Sequence, residues 1–240
     1  DPQFTNDTWN TASFSASDEL QKQLDDTGMV SYYIKNVLDD QTKSGESLAI
    51  YVDNLHIPVK TSTYWLCAAK LVEMHHTSGV VMDLELFMRS GTNTYILALR
   101  LNPGAASASR SYVETWWEGP RAEIIMPWPT DKGVVLQLAV ESTFNDISGL
   151  GLDLDEITQI KVWFEVYNST DYTDEYAAAQ LRFFIVSQDG PIYINTKDYL
   201  LNSTSGCINI PTSADMLNIY GYKANGCYKV QIPFIYETEP

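Results

Sequence analysis

Hydrophobic and polar residues alternate along much of this chain in short runs, which is the pattern of half-buried β-strands. In residues 80–87 the side chains of Leu84 and Leu86 fall on one side of an extended strand. The carboxylates of Asp83 and Glu85 fall on the other side, which we expect to face solvent. Strands with one buried and one wet face are typical of antiparallel sheets.

Turn sequences such as Asn102-Pro103-Gly104 and Asp189-Gly190-Pro191 separate these runs about every dozen residues. Many short strands at this spacing predict an all-β fold, an antiparallel β-sandwich of jelly-roll type. The predicted strands are 29–38, 47–57, 64–74, 80–88, 95–101, 111–117, 122–126, 134–140, 157–167, 180–186, 191–194, 207–210 and 228–236.

The remaining segments predict one or two short helices and an unusual N-terminus. Residues 17–24 open with Ser and early acids, as helices do, and residues 213–217 are a second candidate. We expect residues 17–240 to form a single sandwich domain. Residues 1–16 space three aromatic side chains among Thr, Asn and Ser, which indicates either an edge strand or an extended arm that adds a strand to another subunit.

Charge excludes some partners. The net charge of −16 repels phosphate backbones, so nucleic acid is not an expected partner. No apolar run reaches the roughly 18 residues of a transmembrane helix. The chain begins Asp1-Pro2 without Met, so we expect that a leader or tag has been removed. Together with the polar but weakly charged composition, this favours a protein outside the cell.

Cysteines and glycosylation motifs fit an extracellular location. Cys207 and Cys227 flank a strong hairpin turn, Asn225-Gly226, and we predict a disulfide between them. Cys67 lies in an apolar run and is expected to be a buried free thiol. Sequons for N-glycosylation begin at Asn6, Asn168 and Asn202.

The leading functional expectation is a non-catalytic structural or adhesive protein. We expect a subunit of a surface appendage, filament or layer that contacts copies of itself through the N-terminal arm. This expectation depends on the apparent processing, on the polar exterior and on the lack of a convincing catalytic set. No catalytic residue is assigned.

The alternative is a secreted carbohydrate-binding module or a jelly-roll glycoside hydrolase. Alternation from residue 112 places Glu114, Trp116 and Glu118 on one face, where an indole ring can stack on a sugar and carboxylates can accept from its hydroxyls. Asp83 and Glu85 lie about 6–7 Å apart on one strand face. That separation suits a pair of glycosidase carboxylates.

The sequence contains few candidates for metal ligands. Asp153, Asp155 and Glu156 precede a strand and are candidates for a structural calcium site, and no other cofactor is expected. His75 and His76 are adjacent on a predicted strand, so we expect their rings on opposite faces. Residues 152–164 resemble a turn–strand passage of secreted jelly rolls, which include many carbohydrate-binding modules.

Overall fold

A computed structural model describes residues 10–24, 30–130, 133–169 and 172–190. This part of the chain is built from short strands and a short helix, in agreement with the predicted all-β class. The elements are β1 (Asn10–Ala12), β2 (Glu19–Leu24), β3 (Val30–Val37), β4 (Gly45–Val52), β5 (Ile57–Pro58), β6 (Tyr64–His75), β7 (Gly79–Ser90), β8 (Asn93–Asn102), β9 (Ser109–Val113), β10 (Arg121–Pro127), β11 (Gly133–Ala139), α1 (Val140–Ser148), β12 (Glu156–Tyr167) and β13 (Tyr176–Ser187).

The strands form two sheets, which confirms the predicted β-sandwich. The larger sheet has the order β1-β4-β12-β7-β8-β10-β9, with β5 paired to β12, and the smaller sheet has the order β11-β6-β13-β3-β2. Strands β8 and β10 pair parallel, and the other pairs in both sheets are antiparallel. Two antiparallel-rich sheets that face each other bury one side of each.

The hydrophobic core lies between the sheets and follows the alternation of the sequence. Leu84 and Leu86 on β7 face it, as does Phe164 on β12, and all three are fully buried. Cys67 on β6 belongs to the same core as a free thiol, as the sequence predicts, and burial raises its pKa. Charged side chains on the outer face of a sheet point away from this core, so their ion-pair partners have to come from other outward-facing residues.

The predicted helix at residues 17–24 is wrong, because this segment forms β2 at the edge of the smaller sheet. The acids and glutamines favour a helix in isolation, but pairing with β3 decides the structure. Glu19 stands opposite Lys35, with 3.3 Å between carboxylate and ammonium. Leu20, one residue on, packs against the core.

The described helix, α1, lies where the sequence predicts the end of a strand and a loop. Val140, Thr143 and Phe144 are buried on one side of it, at the i, i+3, i+4 spacing of an amphipathic helix. Gly149 ends the helix with a φ of 72°, and its N–H donates to the carbonyl of Asn145. Glycine adopts this left-handed conformation without strain.

The N-terminal segment contacts its own chain where it is described. Residues 10–12 form β1 and pair antiparallel with β4, at the edge of the larger sheet. In the described part of the chain, no helix is long and apolar enough to cross a membrane. Several predictions lie outside the described residues: residues 1–9, the segments 191–194, 207–210, 213–217 and 228–236, the pair Cys207 and Cys227, and the sequons at Asn6 and Asn202.

Candidate functional site

The outer face of the larger sheet carries charged side chains that are buried. Asp83 and Glu85 on β7 point away from the core, as alternation predicts, but each residue is only 2% exposed. The expectation that this face is wet is therefore wrong. Burying a carboxylate is costly unless cations and hydrogen bonds compensate for the lost hydration.

Arg121 on β10 provides the central compensation. Its residue is 0% exposed, and its guanidinium contacts three carboxylates. One terminal nitrogen lies 2.8 Å from Asp83, the other donates to Glu85, and Nε donates to Glu123 at 3.1 Å. A planar guanidinium has five donors in a fixed fork, which allows one side chain to serve several acids.

Two further cations complete the arrangement. Arg100 on β8 binds both oxygens of Asp83 through Nε and a terminal nitrogen, at 2.9 and 2.8 Å. Lys161 on β12 donates to Glu118 at 2.8 Å, and its ammonium lies 3.4 Å from Glu85. We call the resulting group the charge cluster: Asp83, Glu85, Arg100, Glu118, Arg121, Glu123 and Lys161.

The charge cluster holds four carboxylates and three cations, so one acid is in excess. Glu85 carries that excess: burial raises its pKa to about 7, although Arg121 and Lys161 oppose the shift. Its Oε2 has no hydrogen-bond partner among the residues that the structure describes. Near neutral pH, Glu85 is thus a carboxyl group that exists in both protonation states.

The loop between β9 and β10 covers the charge cluster. The indole of Trp116 lies over the guanidinium of Arg121, 4.6 Å from ring centroid to Cζ. It also packs against a small apolar group formed by Phe87, Ile96 and Ala98 on the outer face. Gly119 adopts a φ of 136°, and a Cβ there would lie 2.8 Å from the carbonyl oxygen of Thr94, so this close passage over β8 requires glycine.

A pair of tryptophans lies beside the charge cluster. Trp117 is 68% exposed, and its ring meets that of Trp163 on β12 edge to face at 6.2 Å. The ammonium of Lys161 lies 5.1 Å from the Trp117 ring and 4.9 Å from the Trp163 ring. A large exposed indole next to positioned charges is unusual on a solvated surface and is typical of an interaction site.

The residues that the sequence proposes for sugar binding do not share one face in the structure. Strand β9 ends at Val113, so Glu114, Trp116 and Glu118 lie on a loop and not on one strand face. Glu114 is exposed, whereas Trp116 is partly buried and Glu118 binds Lys161.

Sequence reasoning missed the partners of these residues. They are Arg100, Arg121, Glu123, Lys161 and Trp163, whereas Trp117 follows directly on Trp116 and belongs to the aromatic residues that the sequence places near a sugar platform. A signal was present, since Arg121 and Glu123 alternate with apolar residues along one strand, as Lys161 and Trp163 do along another. Such alternation alone predicts a face exposed to solvent, and the presence of cations as well as acids at these outward positions is what allows them to pair.

The calcium candidates lie in the connection between α1 and β12. Asp155 accepts from the backbone N–H of Gly91 at 2.7 Å, and Glu156 lies 2.7 Å from Arg89 and 3.2 Å from His56. The carbonyl of Asp153 accepts from the Ser90 hydroxyl. The prediction of calcium at Asp153, Asp155 and Glu156 stays a prediction.

The side-chain amide of Asn168, the first residue of the middle sequon, is hydrogen-bonded within the fold. Nδ2 of Asn168, the atom that would carry a glycan, donates to the backbone carbonyls of Gln41 and Lys43 at 2.9 and 3.0 Å. Glycosylation at this position stays a prediction, as it does at the two sequons outside the described residues.

No family model matches the sequence, and no curated protein does either. Solved structures do resemble the chain. The xyloglucanase domain of NopAA, a type three effector from Sinorhizobium fredii, in complex with cellobiose, is 8% identical, with 77% of this chain and 95% of that chain covered and a TM-score of 0.46. Endoglucanase cel12A from Rhodothermus marinus is 13% identical, with 75% and 91% covered and a TM-score of 0.43.

A metagenome-derived endoglucanase of glycoside hydrolase family 12 is also 13% identical, with 75% of this chain and 95% of that chain covered and a TM-score of 0.42. These likenesses concern the sandwich fold alone. The names of these three proteins are those of glycan-acting enzymes and not of filament or surface-layer subunits, so the leading expectation of the sequence is not carried further. The interpretation as a non-catalytic, self-assembling structural protein is wrong. A homopolymer joined by the N-terminal arm also lacks support, since residues 10–12 pair within their own chain.

Proposed function

We propose that the outer face of the larger sheet binds a glycan, with Trp117 and Trp163 as the stacking surface. The observation that carries this proposal is the 68% exposed indole of Trp117, which is held edge to face against Trp163. Sugars present patches of C–H groups that pack on indole rings. Exposed tryptophan held rigidly in this way loses little conformational freedom when a ligand binds.

Polar groups at the edge of the charge cluster supply hydrogen bonds to sugar hydroxyls. Glu118 accepts and Lys161 donates, and their ion pair lies next to both tryptophan rings. A site with aromatic walls and a few placed polar groups matches the general composition of small-molecule sites. The negative net charge favours a neutral glycan over an anionic one.

Replacing Trp117 by Ala should weaken glycan binding by about tenfold or more, because the loss of one stacked indole removes on the order of 1.4 kcal/mol of binding free energy. The measurement is affinity electrophoresis and titration calorimetry against soluble neutral polysaccharides, with xyloglucan and mixed-linkage β-glucan among them. Leu150→Ala is the control, since Leu150 is a 45% exposed apolar residue that belongs neither to the charge cluster nor to the tryptophan pair. Equal affinity of the wild type and Trp117→Ala for every bound polysaccharide would contradict the proposal.

A second candidate function is hydrolysis of the bound glycan, and Glu85 favours it. A glycosidase needs a carboxyl group that stays protonated near neutral pH and a second carboxylate beside the scissile bond. Burial gives Glu85 a pKa of about 7, which fits the acid. Glu118 shares the ammonium of Lys161 with Glu85, so the two carboxylates are near one another.

In this reaction Glu85 would donate its proton to the glycosidic oxygen as the bond to the anomeric carbon breaks. Glu118 would act as the general base and take a proton from the water molecule whose oxygen forms the new bond to the anomeric carbon. Glu85 is buried beside the surface that Trp116 covers, so the loop between β9 and β10 has to move aside before substrate reaches it. Asp83 and Glu123 are poorer candidates because both oxygens of each accept hydrogen bonds, whereas Oε2 of Glu85 accepts none from the described residues.

Glu85→Gln should abolish reducing-sugar release from any polysaccharide that the wild type hydrolyses, while binding to that polysaccharide persists. Gln keeps the shape of Glu85 but cannot protonate a leaving group. Glu19→Gln, a change of an exposed glutamate on the smaller sheet, is the control and should hydrolyse like the wild type. If the wild type binds polysaccharides but releases no sugar from them, the hydrolytic candidate fails and glycan binding stands.

We further propose an extracellular site of action. The polar composition and the three sequons support this location. The test is to recover the protein from the medium of its natural source. Mass spectrometry of its peptides then shows whether Asn6, Asn168 and Asn202 carry glycans.

A further inference from the structure

Two adjacent histidines at the end of β6 turn their rings toward one carboxylate. Nε2 of His75 lies 3.2 Å from Oδ2 of Asp174, and Nδ1 of His76 lies 3.0 Å from Oδ1. The expectation of rings on opposite faces is wrong, because the chain leaves the strand at His76 with a φ of 58°. This left-handed conformation is uncommon outside glycine, and it brings the two ring centroids within 4.0 Å.

Two tyrosines hold the imidazoles in place. Tyr176 stacks on His75 with 4.8 Å between centroids, and Tyr172 stacks on His76 at 3.9 Å, each pair inclined by 19°. The hydroxyl of Tyr176 donates to Glu73 at 2.8 Å, which fixes that ring in turn. Side chains whose orientation is set by neighbours lose little entropy when they bind a ligand.

The backbone around these residues is also fixed. The histidines begin the connection from β6 to β7, and Asp174 lies in the connection from β12 to β13. Ser78 joins the two connections, since its N–H donates to the carbonyl of Tyr167 at 3.0 Å and its hydroxyl donates to the carbonyl of Asn168 at 2.8 Å. The three groups therefore converge from two segments that are distant in sequence, and hydrogen bonds from Ser78 join the beginnings of these segments.

We propose that His75, His76 and Asp174 bind one Zn²⁺ ion and leave its fourth position open to solvent. One ligand atom from each residue lies within 4.8 Å of the others. Tetrahedral zinc with bonds of about 2.0–2.2 Å needs its ligand atoms about 3.3–3.5 Å apart, so small side-chain rotations suffice. Two imidazoles and one carboxylate are the ligand types of zinc sites that keep an open position.

The ligand set distinguishes zinc from the hard cations. Calcium and magnesium prefer several oxygen ligands, whereas imidazole suits zinc. All three side chains are at least one third exposed, so an ion reaches them without any opening of the fold. A bound ion would connect residues 75 and 76 to residue 174 and thereby stabilise one end of the sandwich against unfolding.

Titration calorimetry with ZnCl₂ on tag-free, chelator-treated protein tests the site. We expect one ion per chain, and an affinity at least about tenfold lower in His76→Ala and in Asp174→Asn. At a zinc concentration of 100 times the dissociation constant, the melting temperature of the wild type should rise by about 5–10 °C. MgCl₂ and CaCl₂ should give no comparable shift.

His56→Ala is the matched control, because His56 is an exposed histidine that contacts a carboxylate, Glu156, at 3.2 Å without a second imidazole. It should bind zinc and gain thermal stability like the wild type. The proposal is overturned if the wild type takes up no zinc, if His76→Ala and Asp174→Asn retain wild-type affinity, or if His56→Ala loses affinity to the same extent. The exposed positions of the three ligands allow these variants to fold, and their melting temperatures without zinc verify it.

Discussion

Replacing Arg121 by Met lowers the free energy of unfolding at pH 7 by about 3–5 kcal/mol, the largest effect that we expect from a single change in this protein. The methionine side chain retains much of the apolar stem, so packing is largely kept. The charge is lost, and Asp83, Glu85 and Glu123 then face one another with only Arg100 and Lys161 to compensate. Urea unfolding followed by tryptophan fluorescence measures the loss.

Arg89→Met is the matched control for this change. Arg89 also contacts a carboxylate, with 2.7 Å to Glu156, but its side chain is 47% exposed. An ion pair in contact with water contributes little, so the loss there should stay below about 1 kcal/mol. Part of the Arg121→Met loss should return at about pH 5, where the unpaired acids take up protons more readily. Equal losses in both variants would show that burial of the guanidinium is energetically unimportant.

Replacing Glu85 by Gln should change how stability depends on pH. The pKa of Glu85 is about 7 in the fold against an ordinary value of 4.5. At and below about pH 4.5 the carboxyl group is protonated in the folded chain, and its contribution to stability is fully present. As the pH rises above 4.5, the unfolded chain releases this proton while the folded chain retains it, so the contribution of Glu85 to stability declines. The decline is complete once the pH has passed about 7. The total loss is about 3 kcal/mol by proton linkage.

Glu85→Gln lacks this titration, so its stability relative to the wild type should increase between about pH 4.5 and pH 8 by that amount. The measurement is a series of urea unfolding curves for both proteins across this range. Using the difference between the two proteins removes contributions from histidines and other acids. A flat difference between Glu85→Gln and the wild type would show that the pKa of Glu85 is ordinary in the fold.

The fold was predictable from the sequence because burial in a sandwich follows a period of two. Strands β6, β7, β8 and β12 agree with the predicted runs to within two residues at each end. The errors lie where local preference and tertiary pairing disagree. Residues 19–24 have the composition of a helix but pair with β3, and α1 contains β-branched residues that resemble the end of a strand.

The candidate site was only partly predictable. Alternation correctly places Asp83 and Glu85 on one face, but it cannot reveal that Trp116 lies over Arg121, the cation that contacts both of them. That contact depends on a loop that returns over strands 30 residues away in sequence, and its path depends on the glycine conformation at Gly119. The convergence of His75 and His76 was hidden for a similar reason, since a single left-handed residue reverses the direction that a strand would give.

The members of the charge cluster leave the ribosome in an order that matters for folding. Both acids of β7 are synthesised before Arg100, well before Arg121, and long before Lys161. In a nascent chain that ends before β10, Arg100 is the one cation of the cluster already present, and it binds Asp83, so water has to remain around Glu85. Lys161 joins the face only with β12, which lies between β4 and β7, so the full set of cations is present only after that strand has been made.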